Sequence, residues 1–579
     1  MGLLLSIFIF LIATETRGQK KDKAFIKLVE PQKASTSTSE KSFFIIGSTC
    51  KGCTMEINNE TVKVYPTGAF AYETKFAPGV NEVNIVAKDV QERTTDKKLR
   101  FVYTPIKPEL PTSETVIESV QTVPSGDVWV MPGDEINFRV KAKTGCTVTT
   151  NNNTLLHELP DSLTKGMKGI YQGFYTVKET DKFNEQSLPV MLTAPDSSSF
   201  LYQTKNKFTV LDPMNKMMVV TKGRLAHLEY GWGDDRLGGA KIGYIDSLIP
   251  LEVIGKIESE YKVRLTENRS AYIPIEHISP LPAGIFRSRS LTGKIRAIPD
   301  SSSDLVQIQL FKKLPYQSFQ RTEPSQIVID IFGATNNTNW IDQPNALKAI
   351  KGVHYEQIAD EHFRVIINLK QKQHWGHTLY YEGNNLVVRV RHQPDSITLT
   401  GMRIALDAGH GGSNPGAVGA LGIAEKTITL EMIKKLKLEL ENQGAIVVLT
   451  RDKDTFFDNK QRILFYRDSL PDLLISFHLN SSANPFTGKG TSVFYRHEGF
   501  RSFGNSIYKR MLGLGLADYG NNGSFNFMLN SPTEYPNALI EALFLSNPEE
   551  EMLMIDEKFQ EKMAKEIVEG IKDFLKGCE

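Results

Sequence analysis

The chain has 579 residues, and because single hydrophobic cores rarely grow past about 300 residues, we expect several domains. Its 68 Lys and Arg residues are offset by 67 Asp and Glu residues, which leaves a net charge of +1. This balance excludes the global basic field that draws proteins to nucleic acid or to anionic membranes. We therefore expect no nucleic-acid partner, and any affinity for a charged polymer has to come from a local surface.

The amino-terminal stretch MGLLLSIFIFLIATETRGQ (1–19) contains an apolar run of about ten residues that ends in small and polar residues. The run is too short to span a bilayer comfortably, so it predicts a secretory signal peptide. A retained anchor is the alternative, because the amino terminus alone supplies the positive charge. No later stretch is long and apolar enough for a transmembrane helix, so we expect an exported protein with no transmembrane helix after signal cleavage.

The first β-module (residues 23–105) consists of short runs in which apolar and polar residues alternate, such as FFIIG (43–47). Short strands at this spacing predict a β-sandwich of the immunoglobulin-like type, with a spacing or docking role. The pair Cys50 and Cys53 predicts a local disulfide across a turn. Half of a metal site is the alternative, but the sequence has no second CxxC that would complete it.

A linker and two further β-patterns follow. The proline-bearing stretch PIKPELP (105–111) predicts the linker. Residues 112–213 show strand patterns without helical periodicity, which predicts a second β-module whose function the sequence does not indicate. Residues 216–282 contain several short strands and a closing Ile-Pro turn, and this third β-module resembles a small SH3-like barrel. Its Tyr230 and Trp232 form either a sugar-stacking face or part of the packing.

The fourth β-module (residues 290–395) is predicted from runs such as IVIDIFG (327–333) and LVVRVRH (386–392). Its HWGH segment (374–377) places two histidines beside Trp375 and so suggests a second metal site. The segment reads as a turn, however, and it lacks acidic partners. We therefore expect a surface loop there.

The pattern changes after residue 400, where helical and strand periods begin to alternate. Residues 425–443 carry apolar residues at helical spacing, and a strand pattern, AIVVLT (445–450), follows. Strands that alternate with helices predict an α/β domain over residues 400–579, with a mainly parallel sheet and helices on both faces. The predicted fold class is therefore multidomain, with N-terminal all-β modules followed by this α/β domain.

Two strand patterns of the α/β domain end on a histidine. RIALDAGHGG (403–412) is an apolar strand pattern that stops at His410 among glycines, and LLISFH (473–478) stops at His478 in the same way. Open α/β sheets carry their chemistry at the carboxyl ends of their strands, so we expect both imidazoles in one site. The structural alternative for each is a hydrogen-bonded loop residue.

Two glutamates complete the candidate site. Glu541 lies inside the apolar run ALIEALFL (538–545), where a carboxylate is costly to bury unless a cation or hydrogen bonds compensate it, and this cost suggests a nearby metal. Glu425 opens the helical pattern, and taken alone it is an acidic residue of a first helical turn, which the helix dipole favours. Two His and one Glu with an open fourth position form a catalytic zinc set. We therefore assign His410, Glu425 and His478 as Zn²⁺ ligands and Glu541 as the general base, which takes a proton from the attacking water and returns it to the leaving amine.

Five elements in the last third of the chain resemble the zinc-dependent N-acetylmuramoyl-L-alanine amidases of the amidase 3 type. They occur in the family's order and are DAGHGGSNPGAVG (407–419), Glu425, TRDKD (450–454), SFHLNSS (476–482) and ALIEALFLSNPEE (538–550). The resemblance implies that the two histidines and Glu425 bind zinc and that Glu541 is catalytic, in agreement with the assignment above. It further implies hydrolysis of the amide between the lactyl group of N-acetylmuramic acid and L-alanine in peptidoglycan.

The resemblance also concerns the β-modules and the substrate. The fourth β-module resembles the AMIN-type domains that target amidases to the wall, and SH3-like modules are frequent in bacterial wall hydrolases. We therefore expect peptidoglycan as a partner, wall or divisome proteins as partners of the β-modules, and a periplasmic or cell-wall-associated location. The chain departs from the family's pattern at YGNNGSFNFMLN (519–530), where the family often has a glycine-valine-basic stretch, and at YRDS (466–469). These departures concern which stem peptide or glycan length is accepted.

Two rival interpretations stand beside the zinc amidase. The first is a catalytically silent wall-binding protein whose β-modules recruit partners. The second is a zinc peptidase that cuts the stem peptide. Retention of all four site residues favours an enzyme over the silent protein.

Overall fold

The computed structural model describes residues 23–105, 113–233 and 237–579. The predicted signal peptide (1–19) lies outside the described residues, and so does all but the first residue of the predicted linker (105–111). The chain is multidomain, with β-modules that precede a C-terminal domain containing the α-helices. Within the three described ranges, no helix combines the length and the apolar character needed to cross a bilayer.

The first β-module is a sandwich of two sheets around one apolar core. Its strands β1 to β8 are, in order, Lys27–Glu30, Ser35–Thr38, Ser42–Ser48, Thr54–Ile57, Glu60–Val62, Ala69–Lys75, Gly79–Lys88 and Thr94–Tyr103. The sheets have the strand orders β1-β3-β6 and β2-β8-β7-β4-β5. Ile45 of the first sheet and Phe101 of the second are fully buried in the shared core. Cys50 and Cys53 form a disulfide across the turn before β4.

The second and third β-modules share a sheet. Strands β9 to β17 are Ile117–Val123, Val128–Val130, Glu135–Ala142, Thr147–Thr150, Thr154–Glu158, Ile170–Thr176, Pro189–Thr193, Ser199–Gln203 and Phe208–Val210, and β18 to β24 are Met217–Thr221, His227–Glu229, Lys241–Tyr244, Pro250–Ile257, Glu260–Thr266, Arg269–Pro274 and Ile278–Pro280. Most strands of the second module follow the order β16-β15-β12-β13-β14-β11-β9, but β10 pairs with β17 and with β21 of the third module. Trp232 packs against the core of the second module, whereas Tyr230 is exposed, so the packing interpretation holds for Trp232.

The fourth β-module contains two sheets and packs on the third through one continuous apolar core. Its strands β25 to β34 are Ser290–Pro299, Ser303–Leu310, Tyr316–Thr322, Ser325–Phe332, Ala334–Thr335, Ile341–Asp342, Ile350–Ala359, His362–Leu369, His377–Glu382 and Asn385–Arg391. The sheets have the orders β29-β25-β26-β34-β33, with β30 on β25, and β27-β28-β32-β31.

The HWGH segment (374–377) is buried, so the predicted surface loop is wrong. Its three ring-bearing side chains are at most 2% exposed. Trp375 packs on Phe574 of the C-terminal domain, with ring centroids 5.8 Å apart, and the His377 N–H donates to Thr533 O. The segment is where the fourth module docks on the C-terminal domain. Burial of this kind depends on a distant partner surface, and four residues carry no periodicity that would reveal it.

The C-terminal domain is built on one six-stranded sheet. Its elements are β35 (Arg403–Ala408), α1 (Glu425–Glu441), β36 (Ile446–Leu449), α2 (Asn459–Ser469), β37 (Leu473–Asn480), β38 (Thr491–Phe494), α3 (Arg501–Leu512), β39 (Asp518–Asn522), β40 (Asn537–Phe544), α4 (Pro548–Met554) and α5 (Glu557–Lys576). The strand order is β36-β35-β37-β40-β38-β39. Neighbouring strands are parallel except β38 and β40. Short 3-10 helices occur along the chain at Asn151–Asn153, Ile275–His277, Glu498–Phe500 and Met528–Asn530.

Both faces of this sheet are covered by helices. Ile404 and Leu406 belong to a core shared with α1, α3 and α5. Ala405 points to the opposite face, because successive strand residues alternate, and packs with Ile463 and Tyr466 of α2. The sheet is therefore the rigid element that positions the site residues at its edge.

Candidate metal centre

Three neighbouring parallel strands bring the predicted site residues to one edge of the sheet. His410 lies two residues after the end of β35, His478 lies near the end of β37, and Glu541 lies opposite His478 in β40. The carboxyl ends of parallel strands meet at the same edge, so this convergence follows from the topology. Glu425 reaches the same point as the first residue of α1.

The turn after β35 is rich in glycine because candidate ligands approach it closely. His410 itself has φ of 60°, in the left-handed region. A Cβ on Gly409 would overlap the His478 ring, and a Cβ on Gly416 would overlap the Glu425 carboxylate. The glycines thus allow the backbone to pass directly beside the other two candidate ligands.

The three predicted ligands offer atoms that all lie within 4.8 Å of one another. Glu425 lies between the histidines, with His410 Nε2 3.1 Å from its Oε2 and His478 Nδ1 3.1 Å from its Oε1. In the part of the chain that the structure describes, this is the one group of three His, Cys, Asp or Glu side chains that converge in this way. The sequence therefore predicted which residues come together, and their binding of a metal stays a prediction.

The Glu425 carboxylate is held in the charged form. It is buried, and it accepts hydrogen bonds from the N–H groups of Ala417 and Leu479, both at 2.9 Å. Burial by itself would raise the pKa of Glu425, but the hydrogen bonds from His410 and His478 lower this pKa well below its usual range. A buried carboxylate that stays anionic is a ready cation ligand.

His478 experiences an excess of negative charge. Burial favours its neutral form, yet the carboxylates of Glu425, Glu541 and Asp407 outweigh burial and raise its pKa. A divalent cation between the imidazoles would offset the same negative charge that otherwise favours a proton on His478.

The ligand set fits Zn²⁺. Two imidazole nitrogens and one carboxylate are donors that zinc takes in catalytic sites, and its donor distances of about 2.0–2.2 Å place tetrahedral neighbours roughly 3.2–3.6 Å apart. The 3.1 Å separations between Glu425 and each histidine are close to that spacing, and all three ligand atoms lie within 4.8 Å of one another. His410 Nδ1 also lies 3.0 Å from Asn414 Oδ1, a contact that orients the imidazole so that Nε2 faces Glu425.

Glu541 and the three candidate ligands line one cavity of about 750 Å³. Its walls include apolar side chains, among them Phe456 and Phe527, and they also include Leu237 and Lys241 of the third β-module. Cavities of this size accept ligands of several chemical units. The candidate centre is therefore open to a substrate.

Two buried arginines, to which the sequence patterns assigned no role, fix the backbone that carries His410. Arg462 Nη2 donates to His410 O at 2.6 Å, and its Nη1 donates to the Asp407 carboxylate at 2.5 Å. Arg451 Nη2 donates to Gly409 O at 2.8 Å. The available signal was Asp407, a carboxylate inside an apolar strand pattern, since a buried acid requires a buried partner.

Comparison with known proteins identifies the domain that carries this centre. The family profile described as N-acetylmuramoyl-L-alanine amidase matches residues 404–573. The germination-specific N-acetylmuramoyl-L-alanine amidase of Bacillus subtilis (strain 168) is 32% identical over 206 residues, a match that covers 31% of this chain and 82% of that relative. The chain belongs to the N-acetylmuramoyl-L-alanine amidase family. The AMIN domain profile matches residues 294–390, so the resemblances inferred for the amidase domain and for the fourth β-module are both confirmed.

Other relatives of this amidase match the same share of the chain. The endolysin of Bacillus phage SPP1 is 34% identical over 180 residues, covering 29% of this chain and 65% of the endolysin, so the chain spans slightly less than two thirds of that relative. Among solved structures, the N-acetylmuramoyl-L-alanine amidase from Clostridium difficile 630 is 30% identical with a TM-score of 0.30, covering 31% of this chain and 100% of that chain. The catalytic domain of the amidase CwlV from Bacillus (Paenibacillus) polymyxa is 35% identical with a TM-score of 0.29, covering 30% and 98%.

Proposed function

We propose that this amidase hydrolyses the amide between the lactyl group of N-acetylmuramic acid and L-alanine in peptidoglycan, with His410, Glu425 and His478 holding Zn²⁺ and Glu541 acting as the general base. The observation that carries the proposal is the convergence of two imidazole nitrogens and a charged carboxylate, within 4.8 Å of one another, on a cavity that Glu541 also lines. Family membership supplies the reaction class.

The proposed chemistry divides between the ion and the protein. Bound zinc would supply Lewis acidity, which polarises the scissile carbonyl and makes water more acidic. Glu541 then accepts a proton as the water oxygen bonds to the lactyl carbonyl carbon, and it passes that proton to the amide nitrogen as the C–N bond breaks. The products are a free lactyl carboxylate and the free amine of L-alanine.

The remaining residues of the centre keep the reacting groups in place. Arg462 and Arg451 donate hydrogen bonds to the backbone carbonyl oxygens of His410 and Gly409. These bonds fix the backbone there, so the His410 imidazole is already oriented towards Glu425 before the substrate binds. Asp407 forms a buried ion pair with the Arg462 guanidinium.

We further propose roles for the β-modules. The fourth module would carry the amidase to the cell wall, the first would act as an immunoglobulin-like spacer, and the third would be an SH3-like module. On this view the protein is exported, by the predicted signal at 1–19, and works in the periplasm or at the wall, where wall or divisome proteins could engage the β-modules. The AMIN match and the amidase family support this location.

Digestion of purified peptidoglycan by the full-length protein, followed by mass spectrometry and labelling of new amines, tests the proposal. We expect new L-alanine amines and free lactyl carboxylates, lost on addition of a chelator and restored by Zn²⁺. New amines inside the stem peptide would instead identify a zinc peptidase. If a folded protein supplied with zinc gave no product, the remaining interpretation would be a catalytically silent wall-binding protein.

A further inference from the structure

The cavity that contains the candidate centre extends across a domain boundary. Leu237 and Lys241 belong to the third β-module, yet they line the same cavity as His410 and Glu541. The third module thus forms part of the cavity that contains the candidate centre.

A single side chain of the amidase domain holds this part of the third module. Asn526 Nδ2 donates to Leu237 O at 3.0 Å and to Gly239 O at 2.9 Å, and it lies 3.4 Å from Gly238 O. Its Oδ1 accepts from Lys241 N at 3.3 Å. One amide group therefore contacts four of the five backbone positions between residues 237 and 241.

Arg496 of the amidase domain reinforces the same contact. Its guanidinium donates to Asn526 Oδ1 at 2.7 Å and to Lys241 O. The group is partly buried between the domains, and burial lowers the pKa of Arg496. Because charged donors form strong hydrogen bonds, the Arg496 guanidinium fixes Asn526 of the amidase domain relative to the Lys241 backbone of the third module.

The third module also contacts the amidase domain through side chains beyond Asn526 and Arg496. Leu225 shares an apolar cluster with Ile463 and Leu529 of the amidase domain. Arg467 lies over the Tyr244 ring, 4.2 Å from its centroid. This apolar contact and the stacked guanidinium add to the hydrogen bonds that hold the wall at the cavity in place.

The residues of the amidase domain that line the cavity beside this contact are Asn526, Phe527, Met528 and Leu529. All four lie within the stretch YGNNGSFNFMLN (519–530). The same stretch therefore binds the third module and faces the cavity.

We propose that the third β-module forms a fixed wall of the substrate-binding cleft, so that Leu237 contacts bound peptidoglycan and substrate recognition extends across the domain boundary. This inference rests on the proposed function for the identity of the ligand. The contact is made by a rigid surface, so it contributes to binding of the substrate and not to the proton transfers at Glu541.

Titration calorimetry with full-length protein tests the inference, using a soluble disaccharide-tetrapeptide from peptidoglycan as the probe and Glu541→Gln as the parent, so that the probe is not consumed. Leu237→Ala removes the apolar wall side chain. Asn526→Asp keeps the acceptor near Arg496 but sets a carboxylate oxygen against the carbonyls of 237–239. We expect each change to raise the dissociation constant about fivefold, since partial loss of one apolar contact or of one docking group costs on the order of 1 kcal/mol.

The matched control is Asp468→Asn, which removes an ion pair between Arg224 and the amidase domain, at exposed positions that do not line the cavity. We expect its affinity to stay within about twofold of the parent. Unchanged affinity in both wall variants, tighter binding in Asn526→Asp, or no binding of the probe by the parent would overturn the inference. The wall variants could bind the probe more weakly while the wild-type protein cleaves no peptidoglycan. That result would support the third module as a wall of the binding cleft and would reject the proposed hydrolysis.

Discussion

His478 and Glu541 are directly paired residues of the neighbouring parallel strands β37 and β40. Side chains at paired positions leave a sheet on the same face, so the carboxylate of Glu541 lies beside the imidazole of His478. Against the effect of burial, Glu541 adds to the larger contribution of Glu425 in raising the pKa of His478. The register of two strands thus sets the spacing between a candidate metal ligand and the proposed general base. Rigid elements position such groups more accurately than loops do.

The first prediction concerns Glu541. Replacing it with Gln removes the proton acceptor while keeping the shape, so we expect kcat to fall about 10²–10⁴-fold with little change in KM. Steady-state hydrolysis of a soluble muramoyl-peptide measures this change. The matched control is Glu557→Gln, an exposed glutamate at the start of α5, which should keep wild-type kcat. A Glu541→Gln protein that retains full kcat would contradict the assigned role.

The second prediction concerns the arginine behind His410. Arg462→Met leaves the Asp407 carboxylate fully buried without its ion-pair partner. Removing one member of a buried pair costs about 3–5 kcal/mol, so we expect a large fall in the melting temperature of the amidase domain and loss of activity. Calorimetry of the full-length protein measures the transition.

Arg510→Met is the control for that experiment, because Arg510 pairs with Asp573 at the surface. Exposed pairs are screened by water, and we expect no measurable change in melting temperature. Equal effects of the two substitutions would show that the Arg462 pair has no special structural role.

The third prediction tests the docking of the fourth module. Gly376 has φ of 114°, and a Cβ there would overlap the backbone of Glu534 in the amidase domain. We expect Gly376→Ala to lower the free energy of unfolding by about 2–4 kcal/mol through strain and overlap. Gly383 also has positive φ, at 60°, but a Cβ there would meet open space. Gly383→Ala should therefore cost only about 1 kcal/mol, and denaturant titration of both variants that gives equal costs would exclude a tight interface.

The fourth prediction concerns pH. Burial raises the pKa of Glu551 from 4.5 to about 7, although its carboxylate accepts a hydrogen bond from Leu421 N at 3.0 Å. Because the folded-state pKa lies above the unfolded value, the folded protein binds the proton more tightly. The buried Glu551 charge therefore lowers the free energy of unfolding, and this loss is complete only above about pH 7. The loss disappears as the pH falls towards the unfolded-state pKa.

Glu551→Gln removes the penalty. We expect the variant to melt at a higher temperature than the wild type at about pH 8, with the difference shrinking towards about pH 5. Thermal melts across this range measure it, and Glu557→Gln again serves as the exposed control. A difference that grows as the pH falls would show that the charged carboxylate is the stabilising form.

The candidate site was largely predictable from sequence because its signals are local. His410 and His478 each end an apolar strand pattern, and the structure places both at the expected edge of the sheet. Glu425 opens a helix whose buried residues Ile428 and Met432 have the predicted spacing. Periodicity within one element reports which side chains face the core, and parallel topology then brings strand ends together.

Contacts between modules were not predictable in this way. The burial of Trp375 depends on Phe574, about 200 residues later in the chain, and neither side chain has a sequence pattern that indicates the other. The same holds for β10, whose residues pair with the third module and not only with their own. Asn526 is a polar residue outside any helix or strand, and its role in binding 237–241 exists only once the domains are docked.

Zinc content of the full-length protein in matched variants tests the central assignment most directly. Wild type and Glu541→Gln should each bind about one zinc ion per chain, whereas Glu425→Gln should bind almost none, because only the second change removes a ligand. Glu541→Gln would then be inactive with its metal in place. Loss of zinc from Glu541→Gln, or full zinc content in Glu425→Gln, would contradict the division between the three ligands and the general base.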